Sequence, residues 1–82
     1  MTNEEFNTNV EWLDNNIEKW YQLTLASTPN IEEIDKYENM IVERMEYLYN
    51  SDLDAEQEWI YEKLEDDYIE ISSYVRYNIR TS

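Results

Sequence analysis

Ser27-Thr28-Pro29-Asn30 is the stretch that decides the fold, because it holds the single proline of a chain without glycine. Proline is tolerated in the first turn of a helix but breaks its interior. The stretch therefore ends one helix and begins another. Thr28 can cap the new helix with Pro29 at its first position, or Asn30 can cap it with Glu33 three residues later.

The residues after this break, 30–50, have the apolar period of an amphipathic helix. Apolar side chains recur at steps of three and four, which place them on one helical face. This stripe consists of Ile34, Tyr37, Ile41, Met45 and Leu48. A helix is therefore predicted over residues 30–50.

The residues before the break, 3–26, have the same period. Thr2 and Glu5 form a capping-box pattern at the start of this segment. Its stripe consists of Phe6, Val10, Leu13, Ile17 and Trp20, followed by Leu23 or Thr24. A helix is predicted over residues 3–26.

A second break lies at residues 50–54, Asn-Ser-Asp-Leu-Asp. Ser51 or Asp54 can cap a third helix, and Gln57 follows Asp54 by three residues. The stripe of this third segment consists of Ile60, Leu64, Tyr68, Ile71, Val75 and Ile79. A helix is predicted over residues 54–80.

Three amphipathic helices joined by short breaks predict an all-α fold, an antiparallel three-helix bundle that forms one domain over residues 1–82. The lack of glycine also disfavours β-hairpins, whose tight turns need residues with positive φ.

The composition argues against an enzyme. The chain has no histidine for general base catalysis near neutral pH and no cysteine nucleophile. The same lack removes the usual ligands of structural zinc, and without glycine there is no phosphate-binding loop. No catalytic residue, cofactor or metal is predicted.

One segment imitates a calcium-binding loop. Acids alternate at Asp52, Asp54, Glu56 and Glu58, as in an EF-hand. That loop needs glycine at position 6 and glutamate at position 12, where this chain has Gln57 and Lys63. The segment is interpreted as a helix cap followed by an acidic first turn.

The sequence does not predict a membrane protein. The acidic, polar N-terminal residues lack the pattern of a signal peptide, and no apolar stretch approaches the roughly 20 residues needed to span a bilayer. An acidic surface is repelled by anionic lipid. A cytoplasmic protein without a membrane partner is expected.

Acidic residues dominate the charge of the chain. Twenty Asp and Glu stand against six Lys and Arg, which gives a net charge of −14. Charge of one sign works against compactness, and a small domain has little stability to spare. A strongly basic partner is the expected reason for so much acid.

The charge is densest in residues 55–70, where seven acids stand against Lys63 alone, six net negative charges. At about 1.5 Å per residue this segment is roughly 24 Å long, so it carries about one charge per 4 Å. A single DNA strand carries about one per 3.4 Å. The predicted partner-binding residues are these acids and two rings beside them: Glu56, Glu58, Glu62, Glu65, Asp66, Asp67, Glu70, Trp59 and Tyr61.

The alternative interpretation of this charge run is a solvated face that serves solubility or salt adaptation. Such faces usually mix both signs, whereas Glu58, Glu62, Glu65 and Asp66 repel one another at steps of three and four. Residues whose placement opposes the stability of their own helix tend to lie on functional surfaces.

Many aromatic residues lie off the three stripes: Trp12, Tyr21, Tyr47, Tyr49, Trp59, Tyr61 and Tyr77. Each ring alone suits the edge of a core, but together they exceed what a small bundle can bury. Tyr and Trp are favoured at interface hot spots. The rings suit a basic protein partner or the seam of a homodimer, and the two ideas are compatible.

In size, charge and aromatic content the whole chain resembles the small, acidic, mostly helical phage proteins that mimic DNA, among them anti-CRISPR and anti-restriction inhibitors. The resemblance implies an inhibitor in the host cytoplasm that keeps a Cas effector or a restriction enzyme from its DNA. It implies a basic nucleic-acid-binding protein as partner and no direct binding of nucleic acid. An antitoxin or immunity protein that neutralises a basic nuclease is the second hypothesis, and a structural helical interaction module is the third.

Overall fold

Three α-helices form the protein, and the computed structural model describes residues 1–81. The helices are α1 (Asn3–Leu23), α2 (Ile31–Tyr49) and α3 (Ala55–Thr81), and no strand occurs in the described residues. The predicted all-α three-helix bundle is confirmed. Ser82, the last residue of the predicted domain, lies outside the described residues.

Hydrogen bonds between the helix ends define the directions of the helices. At the start of α3, Gln57 Nε2 donates to Met1 O at 3.2 Å and to Asn3 Oδ1 at 2.9 Å. Near the other end, Asn78 Nδ2 donates to Thr24 Oγ1 at 3.0 Å. Therefore α1 and α3 run parallel to each other, and α2, which connects them, runs antiparallel to both.

The predicted caps form at the N-termini of α1 and α2. Thr2 Oγ1 accepts from the backbone N–H of Glu5 at 3.2 Å. Asn30 Oδ1 accepts from the N–H of Glu33, also at 3.2 Å. Asn30 rather than Thr28 is therefore the cap of α2.

The start of α3 has a reciprocal capping box. Asp54 Oδ1 accepts from the N–H of Gln57 at 2.8 Å, and Gln57 Oε1 accepts from the N–H of Asp54 at 3.1 Å. Because the Nε2 of Gln57 also bonds to α1, one buried side chain both caps α3 and joins it to its neighbour.

Helix α1 ends three residues before the predicted boundary at Ala26. The backbone N–H of Thr24 donates to Tyr21 O at 3.0 Å, and its Oγ1 donates to the same carbonyl at 2.6 Å. Thr24 is also buried against Asn78, whereas Leu25 is exposed. The predicted end of α1 at Ala26 was wrong because Thr24 contacts Asn78 of α3. These residues are far apart in the chain, so the local sequence pattern does not indicate their contact.

The core lies along the axis shared by the three helices. Trp20 stacks on Tyr68 with ring centroids 5.7 Å apart, while its buried Nε1 has no hydrogen-bond partner among residues 1–81. None of the helices of residues 1–81 has the length and apolar character needed to cross a bilayer. The buried apolar side chains are Phe6, Leu13, Ile17, Trp20, Ile34, Ile41, Met45, Leu48, Tyr61, Leu64 and Val75.

Candidate partner-binding site

The acids predicted on α3 lie on three different sides of that helix. Successive residues turn by about 100°, so a run of 15 residues that holds seven acids surrounds the solvent-facing half of the helix. Six of the seven are exposed and Glu65 is half-buried. The structure thus distributes the predicted surface over a cleft beside α1, a groove beside α2 and an outer face.

The α1–α3 cleft gathers carboxylates from two helices. It is a shallow depression of about 400 Å³ in which Asp14 and Glu18 of α1 lie beside Asp67 and Glu70 of α3. None of the residues that line it, all within the described chain, is Lys or Arg. The pKa of Asp14 is raised, first by burial and then by the charge of Asp67. Two like charges therefore lie together in a cleft whose described lining contains no cation.

Asp14 and Glu18 were not among the predicted site residues. The sequence contains a usable signal, since both follow Glu11 at steps of three and four and so share one face of α1. What the sequence does not reveal is that this face lies beside Asp67 and Glu70, which requires the parallel arrangement of α1 and α3.

The α2–α3 groove is the second surface. It consists of two adjoining hollows of about 310 Å³ each, which share Tyr49, Tyr61 and Glu65. One hollow is mostly apolar and extends to Ile69, while the other is bordered by Glu58 and Glu62. Three predicted acids thus lie at one groove. Tyr49 was predicted only as one of the rings off the apolar stripes, and Glu46 and Ile69 were not predicted as site residues.

Tyr61 lies closer to the core than predicted. It was predicted as a partner-binding ring off the apolar stripe of α3, but it is only 9% exposed and belongs to the core. Its hydroxyl lies 3.4 Å from Glu65 Oε2, a long hydrogen bond, and its ring meets that of Tyr49 at 6.3 Å between centroids. Burial, together with the charge and hydrogen bond of Glu65, raises the pKa of Tyr61 to about 12. Tyr61 therefore forms the floor of the groove.

A second tyrosine of the groove, Tyr68, is half-buried against Trp20. Burial is the main cause that raises the pKa of Tyr68, and the charge of Glu38 adds to it. The charge of Arg76 acts in the opposite direction. The groove therefore combines buried phenol groups with negative potential from both of its helices.

The outer face of α3 carries Trp59 and Asp66, which are exposed, and Glu56 near the start of the helix is exposed as well. Trp59 is 58% exposed, and the Nζ of Lys63 lies 4.4 Å from its ring centroid. The one cation of residues 55–70 therefore covers a ring. Cation–π contacts of this kind hold an exposed ring in place.

The prediction that the core is too small to bury all of the rings off the apolar stripes is confirmed. Of the seven rings off the predicted stripes, four are more than half exposed, namely Tyr47, Tyr49, Trp59 and Tyr77. Trp12 is half-buried and lies 4.4 Å below the guanidinium of Arg44, whose Nη1 donates to Asn9 Oδ1 at 2.8 Å. A second cation is thus held at an aromatic ring.

No group of three or more acidic side chains within residues 1–81 is arranged to hold a metal ion. No family model matches this chain, and neither a curated protein nor a solved structure matches it.

Proposed function

We propose that this protein is a DNA-mimic inhibitor, which binds the nucleic-acid-binding surface of a basic defence nuclease and so blocks DNA. The α1–α3 cleft is the observation that carries the proposal. Carboxylates of two helices lie together there, none of the described residues that line the cleft is a cation, and the pKa of Asp14 is raised by burial and, to a smaller extent, by the charge of Asp67. A destabilising arrangement of this kind is expected where a surface serves a partner.

The parallel course of α1 and α3 supports this function. Glu11, Asp14 and Glu18 form one row along α1, and Asp67 with Glu70 forms a second row beside it. A DNA duplex also presents two rows of negative charge. A basic groove that binds two rows of phosphates can therefore also bind this face of the bundle.

The inhibitor acts by binding and not by catalysis. Cations of the partner that neutralise phosphates in its DNA complex pair with carboxylates instead, and the opposite charges accelerate association. The side chains contain no phosphodiester bond that a nuclease can cleave. The site of action is the cytoplasm of the cell that contains the nuclease, with a Cas effector or a restriction enzyme as the target.

A second candidate function is supported by the α2–α3 groove. An antitoxin or immunity protein that neutralises a basic nuclease needs a compact acidic patch around a few aromatic anchors. Glu58, Glu62 and Glu65 lie around Tyr49 and Tyr61 in this way. Such a protein need not cover the DNA site of the nuclease, so competition with DNA separates the two functions.

The proposed function is tested by recovering partners from cells that carry CRISPR and restriction systems, at low and at high salt. We expect a nucleic-acid enzyme to be recovered at low salt and to be released at high salt. A DNA duplex should then compete with the protein for the recovered enzyme. Recovery of no such enzyme at any salt concentration would overturn the proposal, and recovery without competition would favour the immunity function.

Charge-reversal variants locate the surface. Asp67→Lys with Glu70→Lys should weaken binding of the recovered enzyme at least about tenfold, since each pair of opposite charges at a desolvated interface is worth about 1.5 kcal/mol or more. Glu32→Lys with Glu43→Lys changes the net charge equally on the exposed side of α2 and is the matched control. Equal loss in both variants would show that only total charge matters.

A further inference from the structure

The α2–α3 groove differs from the other surfaces because it combines apolar lining with an acidic border. Ile69 is 57% exposed and Tyr49 is 72% exposed, so a substantial apolar area faces water. Val42 and Met45 continue this lining on α2. Exposed apolar patches bordered by polar residues mark protein interaction sites.

The border of the groove carries charge of a single sign. Glu46 lies on the α2 side, and Glu58, Glu62 and Glu65 lie on the α3 side. None of the residues that line the two hollows, all within the described chain, is Lys or Arg. An occupant that covers the apolar strip therefore meets carboxylates along both of its edges.

The dimensions of the groove suit a helix. Glu58 and Ile69 are eleven residues apart on α3, which is about 17 Å or three helical turns. The walls of the groove are the antiparallel helices α2 and α3. A helix of another protein that lies between them can pack against both. Within residues 1–81 the fold has no sheet edge to which an extended strand could be added.

Other occupants fit the charge less well. Of the two connections between helices, residues 24–30 line neither hollow, and residues 50–54 contribute Ser51 and Leu53 to the wall of one hollow, so neither connection occupies the groove. A second copy of the chain brings another −14 charges, and its carboxylates oppose those of the border. Charge complementarity favours a basic occupant.

We infer that the α2–α3 groove binds a basic amphipathic helix of the partner protein, with apolar side chains over Tyr49 and Ile69 and Lys or Arg against the glutamates of the border. The inference deepens the proposed function, since it assigns the element of the basic partner that this surface recognises. A helix that binds in a groove makes its contacts through side chains spaced three and four residues apart.

The test uses the full chain and a synthetic peptide about 18 residues long, made of Leu and Lys with the Leu on one helical face. A peptide of the same composition in scrambled order is the control ligand. Calorimetry should show binding of the amphipathic peptide at least about tenfold tighter than that of the scrambled one. NMR amide shifts should be concentrated in α2 and α3 along the groove.

Two double variants, each with one change in α2 and one in α3, test the apolar lining. Tyr49→Ser with Ile69→Ser should weaken binding of the amphipathic peptide at least about tenfold. Tyr47→Ser with Tyr74→Ser removes rings that are 54% and 50% exposed elsewhere, and should change binding less than about twofold. All four side chains are exposed, so both variants should keep the helical circular dichroism of the parent.

The acidic border has its own pair of variants. Glu46→Gln with Glu62→Gln should weaken binding more than Glu32→Gln with Glu43→Gln, which removes the same charge from exposed positions outside the groove. Equal binding of the two peptides, or equal losses in both members of either variant pair, would overturn the inference. Self-association that is abolished by Tyr49→Ser would also overturn it, because a second copy would then be the occupant.

The outcomes distinguish this inference from the proposed function. If the peptide binds in the groove but no nucleic-acid enzyme is recovered, the groove stands and the partner belongs to another class of basic protein. If an enzyme is recovered and competes with DNA but the peptide does not bind, the inhibitor acts through its carboxylates without the groove.

Discussion

The Tyr61 phenol lies at the boundary between the core and the surface. Its ring is buried with Leu64 and Leu48, yet its hydroxyl reaches towards the Glu65 carboxylate at the border of the groove. Because a phenolate there would be desolvated and would lie beside a negative charge, the neutral phenol is strongly favoured.

This preference makes stability depend on alkaline pH. The pKa of Tyr61 is about 12 in the folded protein, whereas 10.0 is its ordinary value. Between these values the unfolded chain has lost the proton and the folded chain still holds it, so stability that is complete below pH 10 is lost as pH rises to about 12. Tyr61→Phe should lose less stability than the parent when urea unfolding is compared at about pH 9 and about pH 11.5.

Tyr47→Phe is the control for this measurement, since Tyr47 is exposed. It should retain the alkaline decrease of the parent. An identical pH dependence in Tyr61→Phe and the parent would contradict the assignment of the raised pKa to Tyr61.

Asp14 and Asp67 give a second prediction for single residues. The pKa of Asp14 is raised in the folded state, so its ionised form opposes folding above that pKa, and this penalty disappears as pH falls through it. Asp67→Asn removes one cause of the shift while burial, the larger cause, remains. The variant should lower the pKa of Asp14 and stabilise the protein at pH 7 by about 0.2–0.5 kcal/mol, a small amount because both carboxylates lie at the surface, Asp14 only partly covered, and water screens much of their repulsion.

The control is Asp66→Asn, which removes the same charge from the outer face of α3. An NMR titration of the Asp14 carboxyl group and urea unfolding at neutral pH measure the two effects. If Asp66→Asn lowers the pKa of Asp14 as much as Asp67→Asn does, the cleft is not the origin of the shift.

At the scale of the helices, the start of α3 depends on Asp54. Its carboxylate accepts the N–H of Gln57, and Gln57 in turn joins α3 to the start of α1. Asp54→Ala should therefore reduce the free energy of unfolding by about 1 kcal/mol, within the usual range of 0.5–2 for such caps. Asp52→Ala removes the same charge two residues earlier and should have a smaller effect in thermal or urea unfolding. Equal losses would mean that charge rather than the cap is responsible.

Caps were predictable because they are local. Thr2, Asn30 and Asp54 each bond to a residue three positions along the chain, so the sequence contains both partners. The end of α1 was not predictable in this way. Thr24 is fixed by Asn78, which lies 54 residues away, and that contact depends on how the helices pack.

The buried face of α3 was predicted only in part. Leu64 and Val75 are buried as predicted, but polar Gln57 and Ser72 also lie in this face while apolar Ile69 lies outside it. Because residue type and burial disagree at these positions, the apolar period placed Ile60 on the inner stripe and Tyr61 outside it. Ile60 is half-buried and Tyr61 is buried, so the true face is displaced towards α2.

The candidate site, like the buried face of α3, was predicted only in part. The sequence identified α3 as the acidic helix, and six of its seven acids are exposed. The sequence did not reveal that Asp67 lies close enough to Asp14 to raise its pKa, or that Glu65 and Tyr49 line the same groove. These neighbours come from other helices, so only the packing of the bundle brings them together.

At the scale of the whole molecule, a large negative charge is confined to a narrow bundle. The bundle measures 42 × 18 × 17 Å between Cα atoms, and it carries a net charge of −14. Its width is about two Debye lengths at physiological ionic strength, where the Debye length is about 8 Å. Charges on opposite sides of the bundle are therefore largely screened at ordinary salt, where repulsion is confined to carboxylates within about one Debye length of each other, whereas at about 0.01 M, where the Debye length is about 30 Å, charges across the whole width repel.

Salt should consequently act on folding and on binding in opposite directions. Raising sodium chloride from about 0.01 M to about 0.5 M screens the repulsion within the bundle, so the midpoint of urea unfolding should rise. The same screening should weaken binding to a basic partner, because opposite charges attract across that interface. Urea is the required denaturant, since guanidinium chloride is itself a salt. A neutral osmolyte such as sucrose stabilises folding without screening charge, so it should raise the unfolding midpoint and leave binding nearly unchanged. If salt instead lowers the unfolding midpoint, attractive charge pairs dominate the bundle, and the explanation of its acidity by a partner loses its physical basis.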